Sequence, residues 1–102
     1  MYYIYFLRCH DNSLYIGITT DLKRRFQEHQ QRGKKGAKYT KSHYAMSIET
    51  AYSCQTKSQA CRLEYQLKTL NKKQKEDIVK SDQFLELYLS QRIMISDYQR
   101  LL

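Results

Sequence analysis

The N-terminal segment carries the pattern that most constrains the fold. Residues 2–9 and 14–19 are rich in aromatic and β-branched side chains, a composition typical of β-strands. Between them lies His-Asp-Asn-Ser at residues 10–13, which is turn chemistry, because Asp and Asn bond their own backbone and tolerate a positive φ. Strands joined by so short a turn pair antiparallel. The chain is therefore predicted to begin with a β-hairpin.

Helical signals follow the hairpin. Thr20 or Asp21 can cap a helix that runs to about residue 31, and Leu22 and Phe26 form its buried stripe. The helix would cover one face of the hairpin, since a sheet face rich in apolar side chains has to be buried.

Further elements are predicted beyond residue 45. Residues 46–54 suggest a third strand. Capping boxes that start at Thr56 and Asn71 predict two more helices, and residues 82–102 carry apolar side chains at helical spacing.

The fold class predicted from this order is α+β, with a three-stranded antiparallel sheet flanked by helices and a C-terminal helix. Residues 1–80 would form the main domain and residues 81–102 a helical extension. That extension either completes the core or docks onto a partner, including a second copy of the chain.

The charge distribution points to a polyanionic partner. Net charge is +8 in 102 residues, and residues 23–41 hold most of the excess. This stretch contains one acid, Glu28, against the bases Lys23, Arg24, Arg25, Arg32, Lys34, Lys35, Lys38 and Lys41. Such a field attracts phosphate backbones or anionic lipids. The alternative is that the basic runs only keep a small domain soluble, and charge alone does not decide between the two. Nucleic acid is the preferred partner, and no membrane is expected, because the sequence has no amphipathic anchor and no apolar run of ~20 residues.

Cysteine usage and the N-terminus predict a cytoplasmic protein. The three cysteines, Cys9, Cys54 and Cys61, are odd in number and lack zinc-finger spacing, so we expect reduced thiols. The first residues also lack the features of a signal peptide.

Two hairpin tyrosines are candidates for chemistry. Tyr5 and Tyr15 are ten positions apart, so in a hairpin with an odd-length loop they share a face of the sheet. A turn centred on His10 would make them face each other directly and place Tyr3 opposite Gly17. The missing side chain at Gly17 would then let a substrate backbone approach closely. The alternative is that these tyrosines only pack.

Three further residues could complete a phosphate site. Arg25 and His29 project from one helix face, where an arginine can hold a phosphate and a histidine can relay a proton. Taken alone, these two residues fit better with an arginine that extends over the sheet edge and a histidine bonded to a loop. Glu64 borders the apolar face of its helix, where a carboxylate needs a partner. That partner is either a hard cation such as Mg²⁺ or, through a helical ion pair, Lys68.

Several short motifs follow one another along the chain. They are Y-I-Y at residues 3–5, Y-I-G at 15–17, D-L-K-R-R-F-x-x-H at 21–29, K-G-A-K-Y-T at 35–40, L-E-Y-x-x-K at 63–68, and the lysines Lys72, Lys73 and Lys75. In this order and spacing they resemble the motifs of the GIY-YIG nuclease superfamily, in particular its small single-domain bacterial branch. Tyr3 stands where the first glycine of the family usually is. An asparagine that many members carry after the glutamate has no equivalent, because Asn71 is too close in sequence.

The resemblance implies a metal-dependent phosphodiesterase site made of Tyr5, Tyr15, Arg25, His29 and Glu64. Tyr5 matches the tyrosine that the family uses as general base, Arg25 its phosphate-stabilising arginine, and Glu64 its ligand for Mg²⁺ or Mn²⁺.

Contacts to the nucleic acid are predicted from Gly17, Arg24, Lys34, Lys35, Lys38, Tyr39, Lys41 and Lys68. The leading hypothesis is an endonuclease acting on DNA, with RNA as a second substrate. The alternatives are a binding module on the same fold without catalysis, and an interaction protein that uses residues 82–102.

Overall fold

An antiparallel sheet forms the centre of the molecule. The computed structural model describes residues 1–31 and 45–101. The strand order is β2-β1-β3-β4, with β1 at Tyr2–Cys9, β2 at Leu14–Thr19, β3 at Ala45–Cys54 and β4 at Gln99–Arg100. The predicted hairpin is confirmed, and β2 is an edge strand.

The hairpin loop has three residues. The Cys9 amide donates to the Ser13 carbonyl at 3.0 Å, and Asn12 takes a φ of 68°, a conformation that asparagine tolerates. The turn therefore centres on Asp11. The predicted centre at His10 is wrong, which shifts the strand register by two residues.

In the described part of the chain, four helices surround the sheet: α1 at Leu22–Gln31, α2 at Lys57–Lys68, α3 at Lys72–Lys80 and α4 at Gln83–Leu89. The side chain of Asp21 accepts the Arg24 amide at 3.0 Å, so Asp21 is the cap of α1. Both predicted capping boxes are present, with Thr56 and Asn71 as N-cap residues. None of the helices in the described part of the chain is long and apolar enough to cross a membrane.

The C-terminal segment differs from the single helix predicted for residues 82–102. α4 ends at Leu89, and the chain continues through a 3₁₀ turn at Ile95–Asp97 into β4, which pairs with β3. The α+β class with an antiparallel sheet is confirmed, and the predicted three strands become four. β4 is only two residues long, too short for a sequence pattern to reveal it.

The C-terminal segment completes the main core. Leu85, Leu89 and Ile93 belong to the same buried cluster as Leu63 and Leu67 of α2. The division of the chain after residue 80 and self-association through residues 82–102 stay predictions, although side chains from both sides of that boundary share one core.

Arg100 ties β4 to the end of α3. Its guanidinium donates to the carbonyl oxygens of Ile78 and Val79, both at 2.7 Å, and to the Tyr52 hydroxyl at 3.1 Å. Carbonyls at a helix C-terminus have no partner within the helix and carry partial negative charge, so a guanidinium stabilises them.

A second, smaller cluster lies on the other face of the sheet. It consists of Tyr5, Leu7 and Ala51, with Tyr15, Leu22, Phe26, Ala45 and Ile48 packed against them. Leu22 and Phe26 are the predicted stripe of α1, so α1 covers this face. The two faces of the sheet are thus covered by different helices.

Candidate active site

Tyr5 and Tyr15 share the face of the sheet that α1 covers, as their even spacing predicts. Tyr5 pairs with Gly17 and Leu7 with Tyr15, so the two tyrosines are diagonal neighbours and do not face each other directly. Their ring centroids are 6.3 Å apart. The shared face is confirmed, and the predicted register, with Tyr3 opposite Gly17, is wrong because the loop centres on Asp11.

Gly17 makes room for the Tyr5 side chain. A Cβ at position 17 would lie 2.5 Å from the Tyr5 hydroxyl oxygen and 2.7 Å from its Cζ. The phenol therefore lies across the glycine and fills the space above it. The sequence-based prediction that a substrate backbone approaches Gly17 closely is therefore wrong, because the Tyr5 ring occupies that space.

His29 holds the hydroxyl of Tyr5. The distance from Tyr5 Oη to His29 Nε2 is 2.8 Å, and His29 is fully buried. The Tyr15 ring also lies edge-on to the imidazole, with centroids 5.3 Å apart. The i, i+4 spacing from Arg25 to His29 predicts that both project from one side of α1, and the aromatic contacts fix where His29 points.

Burial controls the ionisation of Tyr5 and His29. Desolvation, followed by the neighbouring Tyr15, raises the pKa of Tyr5 to about 12, although the Arg25 guanidinium opposes the rise. Desolvation and the charge of Arg25 lower the pKa of His29 to about 4. Both side chains are therefore neutral at pH 7. The surroundings of Tyr5 thus oppose its ionisation in the protein alone.

Arg25 is held by Glu28, a carboxylate that is not among the predicted site residues. Its Nη1 donates to Glu28 Oε1 at 2.9 Å, and Glu28 lies 3.9 Å from Arg24 Nε. The Arg25 guanidinium also lowers the pKa of the Tyr5 hydroxyl, against the larger effect of burial. Helical i, i+3 spacing between Arg25 and Glu28 is the signal that could have identified this pair.

Glu64 approaches the cluster from α2. Its carboxylate contributes to the raised pKa of Tyr5, which places it within electrostatic range of that hydroxyl. It also accepts from Lys68 Nζ at 3.3 Å, and Lys68 Nζ lies 6.0 Å from the centroid of the Tyr15 ring. The ion pair offered as the alternative for Glu64 is thus present.

The edge position of β2 makes this meeting possible. α2 packs through Leu63 and Leu67 on the opposite face from Tyr15, yet Lys68 lies over the Tyr15 ring. Because β2 is the last strand on this side, side chains of α2 can extend past it. Side chains of α1 and α2, among them Arg25, His29 and Glu64, thus come close to Tyr5 and Tyr15.

The metal prediction depends on a single protein carboxylate. Within the residues that the structure describes, no group of three or more His, Cys, Asp or Glu side chains is arranged to hold a metal ion. One carboxylate, that of Glu64, is compatible with Mg²⁺ or Mn²⁺, because these ions take only one or two protein carboxylates. Waters and oxygens of a phosphate substrate supply their other ligands.

The predicted nucleic-acid contacts are described only in part. Lys68 lies at the site, and Arg24 is exposed on α1 with Glu28 as a neighbour. Lys34, Lys35, Lys38, Tyr39 and Lys41 lie outside the described residues.

Comparison with known proteins identifies the family. Residues 1–77 match the model of the GIY-YIG catalytic domain. The chain belongs to the GIY-YIG family. This places it in a nuclease superfamily, whose general substrate is nucleic acid, and it confirms the resemblance seen in the sequence motifs.

Several GIY-YIG relatives carry the name UPF0213 protein. One from Fusobacterium nucleatum is 46% identical over 86 residues, covering 83% of this chain and 84% of the relative. One from Cronobacter sakazakii is 45% identical over 78 residues, covering 76% and 80%. A solution NMR structure of a UPF0213 protein from Bacillus halodurans is 37% identical, covers 78% of this chain and 84% of its own, and has a TM-score of 0.46.

Proposed function

We propose that this protein is a divalent-metal-dependent endonuclease that hydrolyses phosphodiester bonds in DNA at the Tyr5–His29 site. The observation that carries the proposal is the 2.8 Å contact between Tyr5 Oη and His29 Nε2 beside the Arg25 guanidinium. Here a buried phenol bonds to a neutral imidazole, and a cation suited to phosphate lies beside them. Such an arrangement supports proton transfer, whereas residues that only pack do not need these polar contacts.

Tyr5 acts as the general base through His29. In the tautomer with its proton on Nδ1, His29 accepts the Tyr5 hydroxyl proton at Nε2. Tyr5 can then take a proton from the attacking water while its own moves to the imidazole, so no full phenolate accumulates. The raised pKa of Tyr5 is therefore no obstacle to this role.

The bound substrate assists this transfer. The low pKa of His29 arises from burial and the positive charge of Arg25. A phosphate seated on Arg25 brings negative charge to the same place and makes protonation of the imidazole easier.

Arg25 stabilises the negative charge that develops on the phosphate. A guanidinium can bind two phosphate oxygens at once, and its hydrogen bond to Glu28 aims it beforehand. Tyr15, beside Tyr5 and beneath Lys68, borders the space where the phosphate would lie.

Glu64 is the residue that would hold the metal ion. When bound, the ion would neutralise charge on the scissile phosphate and the leaving oxygen. Binding competes with the 3.3 Å ion pair between Glu64 and Lys68, so Lys68 would turn toward the substrate backbone.

A cleavage assay tests the proposal directly. The purified protein is incubated with labelled single-stranded, duplex and branched DNA and with RNA, with and without Mg²⁺ or Mn²⁺. We expect cleavage of at least one DNA substrate that requires the metal and disappears in Glu64→Ala. Tight binding without cleavage of any substrate would instead identify a non-catalytic binding module.

Arg25→Ala separates the role of Arg25 in the transition state from substrate binding. We expect kcat to fall by about 10²–10³-fold while the Kd for nucleic acid changes only a few-fold. Arg25→Lys, which keeps the charge but loses the two-pronged hydrogen bonding, should recover little activity. Equal losses in binding and turnover would contradict this division.

A further inference from the structure

The solvent face of α2 carries a stripe of cationic and aromatic side chains. Arg62, Tyr65 and Lys68 follow one another at i+3 spacing, which places them side by side on a helix surface. Tyr65 is 68% exposed, an unusual position for a large aromatic ring with no packing role. Lys68 at one end of the stripe lies over Tyr15 of the candidate active site.

The other end of the stripe opens into a groove. The groove has a volume of about 410 Å³ and is lined by Arg62, Ser90, Gln91, Arg92, Ile93 and Met94. Arg92 is oriented by a hydrogen bond from its Nη1 to the Thr69 hydroxyl at 3.3 Å. Ile93 is a buried part of the core, whereas Met94 is 63% exposed. The groove thus combines two guanidinium groups with an apolar side chain.

The positive charge of this groove is not neutralised locally. Lys68, Lys72 and Lys73 each have a carboxylate one helical turn away, at 3.3, 3.7 and 3.1 Å. Across residues 1–31 and 45–101, no carboxylate forms an ion pair with Arg62 or Arg92. Two arginines that share a groove without a counter-charge are complementary to a polyanion.

We propose that this groove is a second nucleic-acid contact surface, occupied by the strand that leaves the candidate active site. The strand crosses α2 from Lys68 over Tyr65, and backbone phosphates bind Arg62 and Arg92. Tyr65 and Met94 supply apolar surface for the sugar or base. This inference rests on the proposed nuclease function, because the path begins at the scissile phosphate.

The proposal assigns a role to residues beyond those that match the GIY-YIG catalytic domain, residues 1–77. The C-terminal segment places Arg92 beside Arg62 of α2. The segment would therefore extend the binding surface as well as close the core.

The test compares two double variants that remove the same charge. Arg62→Gln with Arg92→Gln alters the groove, whereas Lys73→Gln with Lys80→Gln removes two exposed cations of α3 that do not line it. Kd for a labelled oligonucleotide is measured from low to high salt. For the groove variant we expect binding about tenfold weaker, and a slope of log Kd against log salt reduced by about 1.5, as for two lost phosphate contacts. The control should change much less.

Three outcomes separate this inference from the nuclease proposal. Equal changes in the two double variants would overturn the proposal that the groove binds nucleic acid, and they would not bear on the proposal that the protein cleaves it. A groove-specific change in a protein that cleaves nothing would support the groove and overturn the catalytic proposal. Loss of kcat at saturating substrate in the groove variant would contradict a role confined to binding.

The double variant could lose stability, because Arg92 also bonds the Thr69 hydroxyl. The single variant Arg62→Gln keeps this bond and serves as the check on folding. Its thermal unfolding should match that of the unmodified protein, and its salt slope should fall by about half the change of the double variant. An unchanged slope in this folded variant would overturn the proposal.

Discussion

A side chain at position 17 would collide with Tyr5, and this single contact sets the geometry of the candidate site. The outer end of the Tyr5 ring lies over Gly17, and its hydroxyl contacts His29. The absence of a Cβ thus makes room for the Tyr5 ring, and the space above Gly17 is not open to a substrate backbone.

Gly17→Ala is predicted to destabilise the fold and to reduce cleavage together. The new Cβ would lie 2.5 Å from the Tyr5 hydroxyl, so the buried ring must move and its contact with His29 is lost. Overpacking of this kind costs about 1–3 kcal/mol of unfolding free energy. Chemical denaturation and the cleavage assay measure the two effects.

A double-mutant cycle isolates the collision at position 17. In a Tyr5→Leu background the outer atoms of the ring are gone, so Gly17→Ala should cost clearly less than it does alone. Equal costs in the two backgrounds would show that Gly17 acts through something other than Tyr5.

Acid should destabilise the protein through His29. Its folded-state pKa of about 4 lies below the unfolded value of 6.5, so the unfolded chain binds the proton more readily. Stability is therefore complete above pH 6.5 and is lost as the pH falls toward 4. The linkage predicts a loss of about 2 kcal/mol between pH 7 and pH 5.

His29→Gln provides the comparison for this pH dependence. The variant is less stable at pH 7, but its unfolding free energy should be nearly flat from pH 7 to 5, since most carboxylates stay ionised there. A slope as steep as that of the unmodified protein would assign the effect to other groups.

At the scale of secondary structure, Arg8 connects the hairpin to α3. Its Nη1 and Nη2 each donate to the Glu76 carboxylate at 2.6 Å, and its Nε donates to Glu49 at 3.0 Å. The hydrogen bond from Arg8 lowers the pKa of Glu76, and the same contact raises the pKa of Arg8. The pair is half-buried, so it is screened less than an exposed one.

Arg8→Lys should lose most of this connection although the charge is kept. An ammonium cannot make two parallel hydrogen bonds to Glu76 while also bonding Glu49. We expect a loss of about 1.5–3 kcal/mol in denaturant unfolding, the value of hydrogen bonds to charged groups. Lys73→Met, which breaks the exposed i, i+4 pair with Asp77, is the matched control and should change the stability much less, because water screens an exposed pair.

At the scale of the whole molecule, side chains after position 80 pack into the same core as those before it. Leu85, Leu89 and Ile93 are buried in the main core, and β4 pairs with β3. Truncation after residue 80 should therefore abolish a cooperative thermal transition, because the core loses these side chains and α3 loses Arg100. Calorimetry and circular dichroism measure this.

Arg100→Gln is the milder counterpart of the truncation. It removes the charged hydrogen bonds to the carbonyls of Ile78 and Val79 but keeps the core side chains. We expect a folded protein with a lower Tm. A truncated chain that still unfolds cooperatively near the original Tm would establish residues 1–80 as an independent domain.

The sequence by itself determined the local structure and the family. The hairpin, the caps at Asp21, Thr56 and Asn71, and the GIY-YIG motifs are readable because each depends on residues within a few positions of one another. The even spacing of Tyr5 and Tyr15 likewise sufficed to place them on one face.

Only the tertiary structure decided the protonation states and the packing of those side chains. The raised pKa of Tyr5, the neutral state of His29 and the use of Gly17 as space for a ring all depend on atoms brought together from distant parts of the chain. The same holds for β4, whose two residues form a strand because β3 is there to pair with. Desolvation and packing are properties of the assembled core, and a pattern in the chain does not contain them.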